Sequence, residues 1–179
     1  IIDRGVQIIL GCYTSSQRKA VLNVLDKERG LLCYPAQYEG FEYSRDVIYF
    51  GAVPNQHCLF LAKYLLTHFS PRVYIVGSDY VWPREVGRIM QDIIHLSGGE
   101  VLGQRYLREE SRAHEFDTLI KDIIGCNPAI IFNNFVGTSN EMFYKAYVEN
   151  GLSAQNMPVA SLTTSEADIM VVGASAVAG

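Results

Sequence analysis

With 179 residues, 49% of them hydrophobic and 19% charged, the chain can build one sizeable domain or two small lobes, and disorder is not the default. The net charge of −4, without a basic cluster, argues against nucleic acid as a partner. No apolar run approaches the roughly 20 residues of a membrane helix. Ile1 to Gly5 reads as the last turn of a helix closed by a glycine, and Val171 to Gly179 as a small-residue tail, as expected of a piece of a longer protein. Val6 to Leu10 is a short strand, and Ser16 is the expected N-cap of a helix with apolar positions Ala20, Val21, Val24 and Leu25. Gly30 ends that helix. Leu31 to Tyr34 is the next strand, Tyr38 to Arg45 a polar-aromatic loop, and Val47 to Phe50 a third strand.

Pro54-Asn55-Gln56 opens a second helix that runs to Ser70-Pro71. Val73 to Val76 is an apolar strand that Gly77 is expected to break; a loop with Tyr80 and Trp82 follows, then a helix from Glu85 to Leu96. Gly98 to Gly103 lies after a helix and before a strand, the wrong order for a phosphate loop, so it reads as a C-cap turn. Glu100 to Leu107 is a strand, Glu115 to Ile124 a helix, Ala129 to Phe132 a strand, Asn140 to Glu149 a helix and Pro158 to Leu162 the last strand. Strand and helix alternate, which predicts an α/β fold with parallel, helix-covered sheets. The expected lobes are 1–53 and 54–179, with the boundary near Gly51 to Asn55.

Ligands in open α/β sheets bind at the carboxyl ends of strands. Those ends carry Tyr13 and Ser15; Tyr34 and Ala36; Tyr80 and Trp82; Val136 to Thr138; and Thr163 to Glu166. Aromatic rings, hydroxyls and few charges suit a small, mostly apolar pocket with a few hydrogen-bonding groups. The alternatives are tyrosines that merely pack over a sheet edge, Trp82 as a helix staple, and Thr163-Thr164-Ser165-Glu166 as a capping box. Asp79 and Glu85 are expected to cap a helix. No cofactor or metal is expected, since the four histidines and four cysteines lack ligand spacing. The cysteines read as reduced structural thiols, which leans toward the cytoplasm. An enzyme is not expected: there is no G-x-S-x-G elbow, and Ser15 and Ser78 have no general base nearby in sequence; an α/β enzyme using Ser15 or Cys12 is the weaker alternative.

The runs GCYTSSQRKAVL (Gly11 to Leu22), LLCYPAQYEGFEYS (Leu31 to Ser44), PNQ (Pro54 to Gln56), VGSDYVWPRE (Val76 to Glu85) and ASLTTSEA (Ala160 to Ala167) resemble two related groups. One comprises amide sensors that negatively regulate aliphatic amidase operons. The other comprises urea or short-chain-amide binding proteins of ABC importers. Both are type I periplasmic-binding-protein folds, related to the branched-chain amino acid binders. The resemblance implies two Rossmann-like lobes, the first partial here, that close on a small amide or urea. Tyr13, Ser15, Tyr34 and Ala36 would contribute from the first lobe, and Tyr80, Trp82, Val136, Gly137 and Thr163 from the second. Ala36 stands where the sensors are similar in having a threonine, so one hydroxyl is lost. Trp82 stands where the sensors have tyrosine and the urea binders often phenylalanine. The implied partner is an antiterminator protein for a cytoplasmic sensor or an ABC permease for a periplasmic importer component.

Overall fold

The computed structural model describes residues 4–173 and 177; the small-residue tail and the helical turn expected at the start fall largely outside them. The chain divides into two compact units, Ile1–His57 and Cys58–Gly179. In the first unit, β1 (Ile8–Leu10), α1 (Ser15–Glu28), β2 (Leu31–Tyr34) and β3 (Val47–Tyr49) follow in order. The strands pair in parallel in the order β1-β2-β3. Period-two alternation puts Ile9, Leu32, Tyr34, Val47 and Tyr49 on the face that packs with Leu25 of α1. Ile8, Leu10 and Ile48 lie on the opposite face and are exposed.

The expected caps shift by a few residues. Thr14, not Ser16, caps α1: its Oγ1 accepts from the Gln17 backbone N–H, and the Gln17 side chain accepts from the Thr14 backbone. Ser15 is thereby the first helical residue. The helix ends at Arg29 in the left-handed region. The parallel β2–β3 connection carries no helix, although such crossovers usually use one. The stretch 35–46 fills that role as a loop.

The second unit runs α2 (Cys58–His68), β4 (Arg72–Ser78), α3 (Val81–Leu96), β5 (Glu100–Leu107), α4 (Ala113–Cys126), β6 (Ile130–Asn134), α5 (Thr138–Glu149), β7 (Val159–Ser161) and α6 (Glu166–Val172). All four strands are parallel, in the order β5-β4-β6-β7. β4 from Val73 onward and all of β6 are buried, as apolar strands covered on both faces should be. Tyr74, Val76 and Ile131 pack against Phe116 and Ile120 of α4 and Phe143 and Tyr147 of α5. Val73, Ile75 and Phe132 pack against Trp82, Val86 and Met90 of α3 and Cys58 and Ala62 of α2.

Two expectations around β4 are corrected. Gly77 does not break the strand, which continues to Ser78. A Cβ at Gly77 would stand 3.0 Å from Pro83 Cβ and 3.1 Å from Asn134 Cβ, so the glycine permits close approach within the sheet end. Helix α3 starts at Val81 rather than Glu85, because a proline in the first helical turn loses only an N–H that would lack an intrahelical acceptor anyway. Trp82 therefore sits in the helix, 4% exposed, and not in a loop. As expected, Gly98 turns the chain after α3 with φ of +78°.

Two glycines give opposite expectations. A Cβ at Gly51 would overlap the backbone of Ala36, whereas one at Gly125, within α4, meets nothing within 4 Å. Gly51→Ala should destabilise the first unit by about 3 kcal/mol or more. Gly125→Ala should stabilise α4 by up to about 1 kcal/mol. Urea unfolding midpoints of the two variants check both signs.

Candidate functional site

In the first unit, the β1–α1 and β2–β3 loops form the strand ends. Cys12 holds a left-handed backbone with φ of 64°, unfavourable for a residue with a side chain and characteristic of constrained functional loops. It presents Tyr13, which is 72% exposed. Tyr34 is fully buried, and its hydroxyl donates to the Tyr13 carbonyl at 3.3 Å. Ala36 is half-buried against the core of this unit.

Ser15 is also buried, and its hydroxyl is engaged within the protein. It donates to Glu39 Oε2 at 2.6 Å and accepts from Arg18 Nη1 at 3.3 Å. Arg18 is the centre of this arrangement, with a side chain that is 0% exposed. It donates to Glu39 Oε1 through Nη2 and to Glu42 Oε1 through Nε, both at 2.8 Å. Its guanidinium lies 4.8 Å from the centre of the Tyr34 ring and 5.0 Å from that of Tyr38. Tyr38 stacks on Tyr49 with centroids 4.6 Å apart, and the Tyr49 hydroxyl donates to Glu42 Oε1 at 2.7 Å. One cation thus ties α1 to the 35–46 loop and to β3.

The electrostatics follow from this packing. Burial works against the charged form of Arg18, but hydrogen bonds and charge from Glu42 and Glu39 hold its pKa above the ordinary value. Burial alone would push Glu42 up; hydrogen bonds from Arg18 and Tyr49 and the Arg18 charge bring it below the usual carboxylate range. Burial, then the bond to Glu42, raises Tyr49. Burial pushes the Cys12 thiol up, opposite to what a reactive thiolate needs.

In the second unit, the strand order reverses between β4 and β6. The chain leaves β4 for α3 on one face of the sheet and leaves β6 for α5 on the other. The ends of β4 and β6 are therefore the switch point at which open α/β sheets bind ligands. The structure brings the expected residues of this unit to that place. Tyr80 is the N-cap of α3, half-buried against the apolar cluster on the α3 face. The Val136 N–H donates to Ser78 Oγ at 3.3 Å, tying the β6 loop to β4. Gly137 begins α5 at φ 57° and ψ −139°, a backbone that glycine alone adopts readily. Thr163 Oγ1 donates to the Phe135 carbonyl at 2.9 Å, tying the β7 loop to the β6 loop.

Other expectations are corrected here. The capping interaction at α6 is between Ser165 and Asp168, whose Oδ2 accepts from the Ser165 backbone N–H at 2.7 Å, so Thr163 and Thr164 serve the loops instead. Asp79 and Glu85 do not cap α3. Asp79 accepts from Arg84 Nε at 2.6 Å, and Glu85 accepts from Arg88 Nε at 3.0 Å. Arg84 also covers the Tyr106 ring at 4.8 Å, and partial burial pushes the half-buried Tyr106 hydroxyl up to about 12. A cavity of about 430 Å³ lies away from the strand ends, between α5 and α6. It is an open groove in which Met142, Tyr144, Val148, Val171 and Val172 alternate with the charged Glu141, Lys145 and Glu149.

Sequence reasoning missed Arg18, Glu39, Glu42 and Asn134. Arg18 stands seven residues before Leu25 on the apolar stripe of α1, where a charge needs a partner. Asn133 and Asn134 extend an apolar strand by two amides. Arg18→Met should cost about 3–5 kcal/mol, because the two carboxylates lose their buried cation and keep only the exposed Lys19 beside them. The deficit should shrink from neutral pH to about pH 4, as the Glu42 carboxyl takes up a proton. In the wild type, the lowered Glu42 contributes stability that is full above the ordinary carboxylate range and is lost as pH falls through its folded value. Urea unfolding of both proteins across that interval checks the sign.

A family model described as "Periplasmic binding protein domain" matches residues 1–179. Solved structures share the fold. A solute-binding protein of an ABC transporter from Rhodopseudomonas palustris HaA2, in complex with p-hydroxybenzoic acid, superposes with a TM-score of 0.79 at 21% identity, over 90% of this chain and 44% of that one. A periplasmic binding protein from Burkholderia mallei gives 0.80 at 16% identity, over 94% and 45%. An amino acid ABC transporter substrate-binding protein from Pseudomonas fluorescens Pf-5 gives 0.78 at 18%, over 97% and 47%. The chain spans less than half the length of each.

Proposed function

The chain belongs to the periplasmic-binding-protein family, and on that premise we propose that it is part of a solute-binding protein whose ligand is a small neutral amide or urea. The observation that carries this is the charge balance at the strand ends. Arg18 is fully neutralised by Glu39 and Glu42, and Arg84 by Asp79. Neither arginine is left to hold a carboxylate. What the strand ends offer instead are hydroxyls, amides, backbone groups and rings, which suit a neutral polar head with a short apolar tail.

The role that fits is the binding component of an ABC importer, working outside the cytoplasm with an ABC permease as partner. The similar solved structures are described as ABC-transporter solute-binding proteins, which favours this role over an amidase-operon sensor acting through an antiterminator. The sensor reading rests on the resemblance of the ASLTTSEA run. Catalysis is not part of the proposal. Ser15 gives its proton to a carboxylate already held by Arg18, and the Cys12 thiol is raised by burial.

Calorimetry on the full-length protein tests the reading. Acetamide, butyramide or urea should release binding heat, while leucine and 4-hydroxybenzoate should give none. Binding of either carboxylate, with no heat from any amide or urea, would contradict it.

A further inference from the structure

Asn133 and Asn134 are adjacent on β6, so their side chains point to opposite faces of the sheet. Asn133 is fully satisfied in place: its Nδ2 donates to Asn140 Oδ1 at 2.8 Å, and its Oδ1 accepts from the Phe135 N–H at 2.9 Å. Asn134 is 0% exposed, yet neither its Nδ2 nor its Oδ1 has a hydrogen-bond partner. Turning the amide over changes nothing, since both atoms are unpaired. Trp82 Nε1 is likewise buried without a partner. Among the described residues of this unit, these two side chains hold all the buried side-chain atoms left without a hydrogen bond. Buried polar groups are nearly always paired, so the two orphaned side chains need an explanation.

The place is informative. A Cβ on Gly77 would lie between Pro83 and Asn134, which puts the first turn of α3, the end of β4 and the end of β6 side by side. That is the switch point of the sheet. The orphaned groups are a carboxamide and an indole N–H, both uncharged.

We infer that Asn134 is a specificity-determining ligand contact, its carboxamide pairing with the carboxamide or urea group of the bound solute and Trp82 Nε1 supplying a second donor. This rests on the neutral-amide reading above and gives it a chemical basis. Asn134 Nδ2 donates to the solute carbonyl, and its Oδ1 accepts from the solute NH₂. The indole N–H reaches the remaining carbonyl lone pair. A carboxylate has no donor for Asn134 Oδ1, and an ammonium has no acceptor for Asn134 Nδ2 or Trp82 Nε1. Either mismatch leaves a buried group unpaired, the condition under which polar sites discriminate most strongly.

The test titrates acetamide, butyramide and urea into full-length wild type and Asn134→Leu by calorimetry, with thermal unfolding of both ligand-free proteins beside it. Asn134→Leu should bind the amides at least about tenfold more weakly. Its unfolding midpoint should be unchanged or higher, because an unpaired buried amide is removed. Equal affinity in the two proteins overturns the inference while leaving the amide reading intact. A wild type that binds none of the three overturns the amide reading and this inference with it. A readout that needs no folded variant is the Asn134 side-chain NH₂ resonance pair of the wild type. It should shift on saturation with ligand, and an unmoved pair under saturating ligand counts against the contact.

Discussion

The reversal of strand order between β4 and β6 is the constraint on which the second unit's site depends. Parallel neighbours need crossovers, and crossovers run in one hand. The direction change therefore sends α3 to one face and α5 to the other. Both helices start at the same sheet edge and diverge from it. Gly77 brings the two strand ends into contact there, Ser78 and Thr163 tie down the neighbouring loops, and Asn134 and Trp82 are held in a wall that does not satisfy them. The fold thus leaves unpaired polar groups at the end of β6 and in the first turn of α3, with apolar packing on both faces of the sheet.

The first unit solves a different problem. Its three-stranded sheet is small, and one crossover is a loop rather than a helix. A loop of that length gains little from its own hydrogen bonds. The buried Arg18 supplies the missing order through two carboxylates, a serine and two tyrosine rings. Burying such a charge is costly unless every donor is answered, and here the answers come from the loop that must be fixed. The same network sets the character of the strand ends, because it consumes the cation that would otherwise invite an anion.

Much of this was legible in the chain. Alternation of apolar strands with amphipathic helices predicted the parallel α/β architecture, since a strand buried on both faces has to read as an unbroken apolar run. The positions of Tyr80, Val136, Gly137 and Thr163 at strand ends were visible for the same reason. Boundaries were less visible. Gly77 looked like a break because a glycine that ends a strand and one that lets two chains touch are the same letter. Trp82-Pro83 looked like a loop because a proline in a first turn resembles one that forbids a helix. Thr14 displaced Ser16 as the cap through a partner three residues on. The Arg18 network was hidden because its two carboxylates lie 21 and 24 residues beyond the arginine and only the fold adjoins them. Asn134 was hidden because an amide at a strand end carries no motif, and only its lack of a partner in three dimensions sets it apart from Asn133.

The most direct test of the central claim is a crystal structure of the full-length protein with its ligand bound. The bound solute should be neutral, with its carbonyl and NH₂ within hydrogen-bonding distance of the Asn134 amide and Trp82 Nε1 directed at the same carbonyl. A bound carboxylate held by an arginine, with Asn134 turned away from it, would contradict the account.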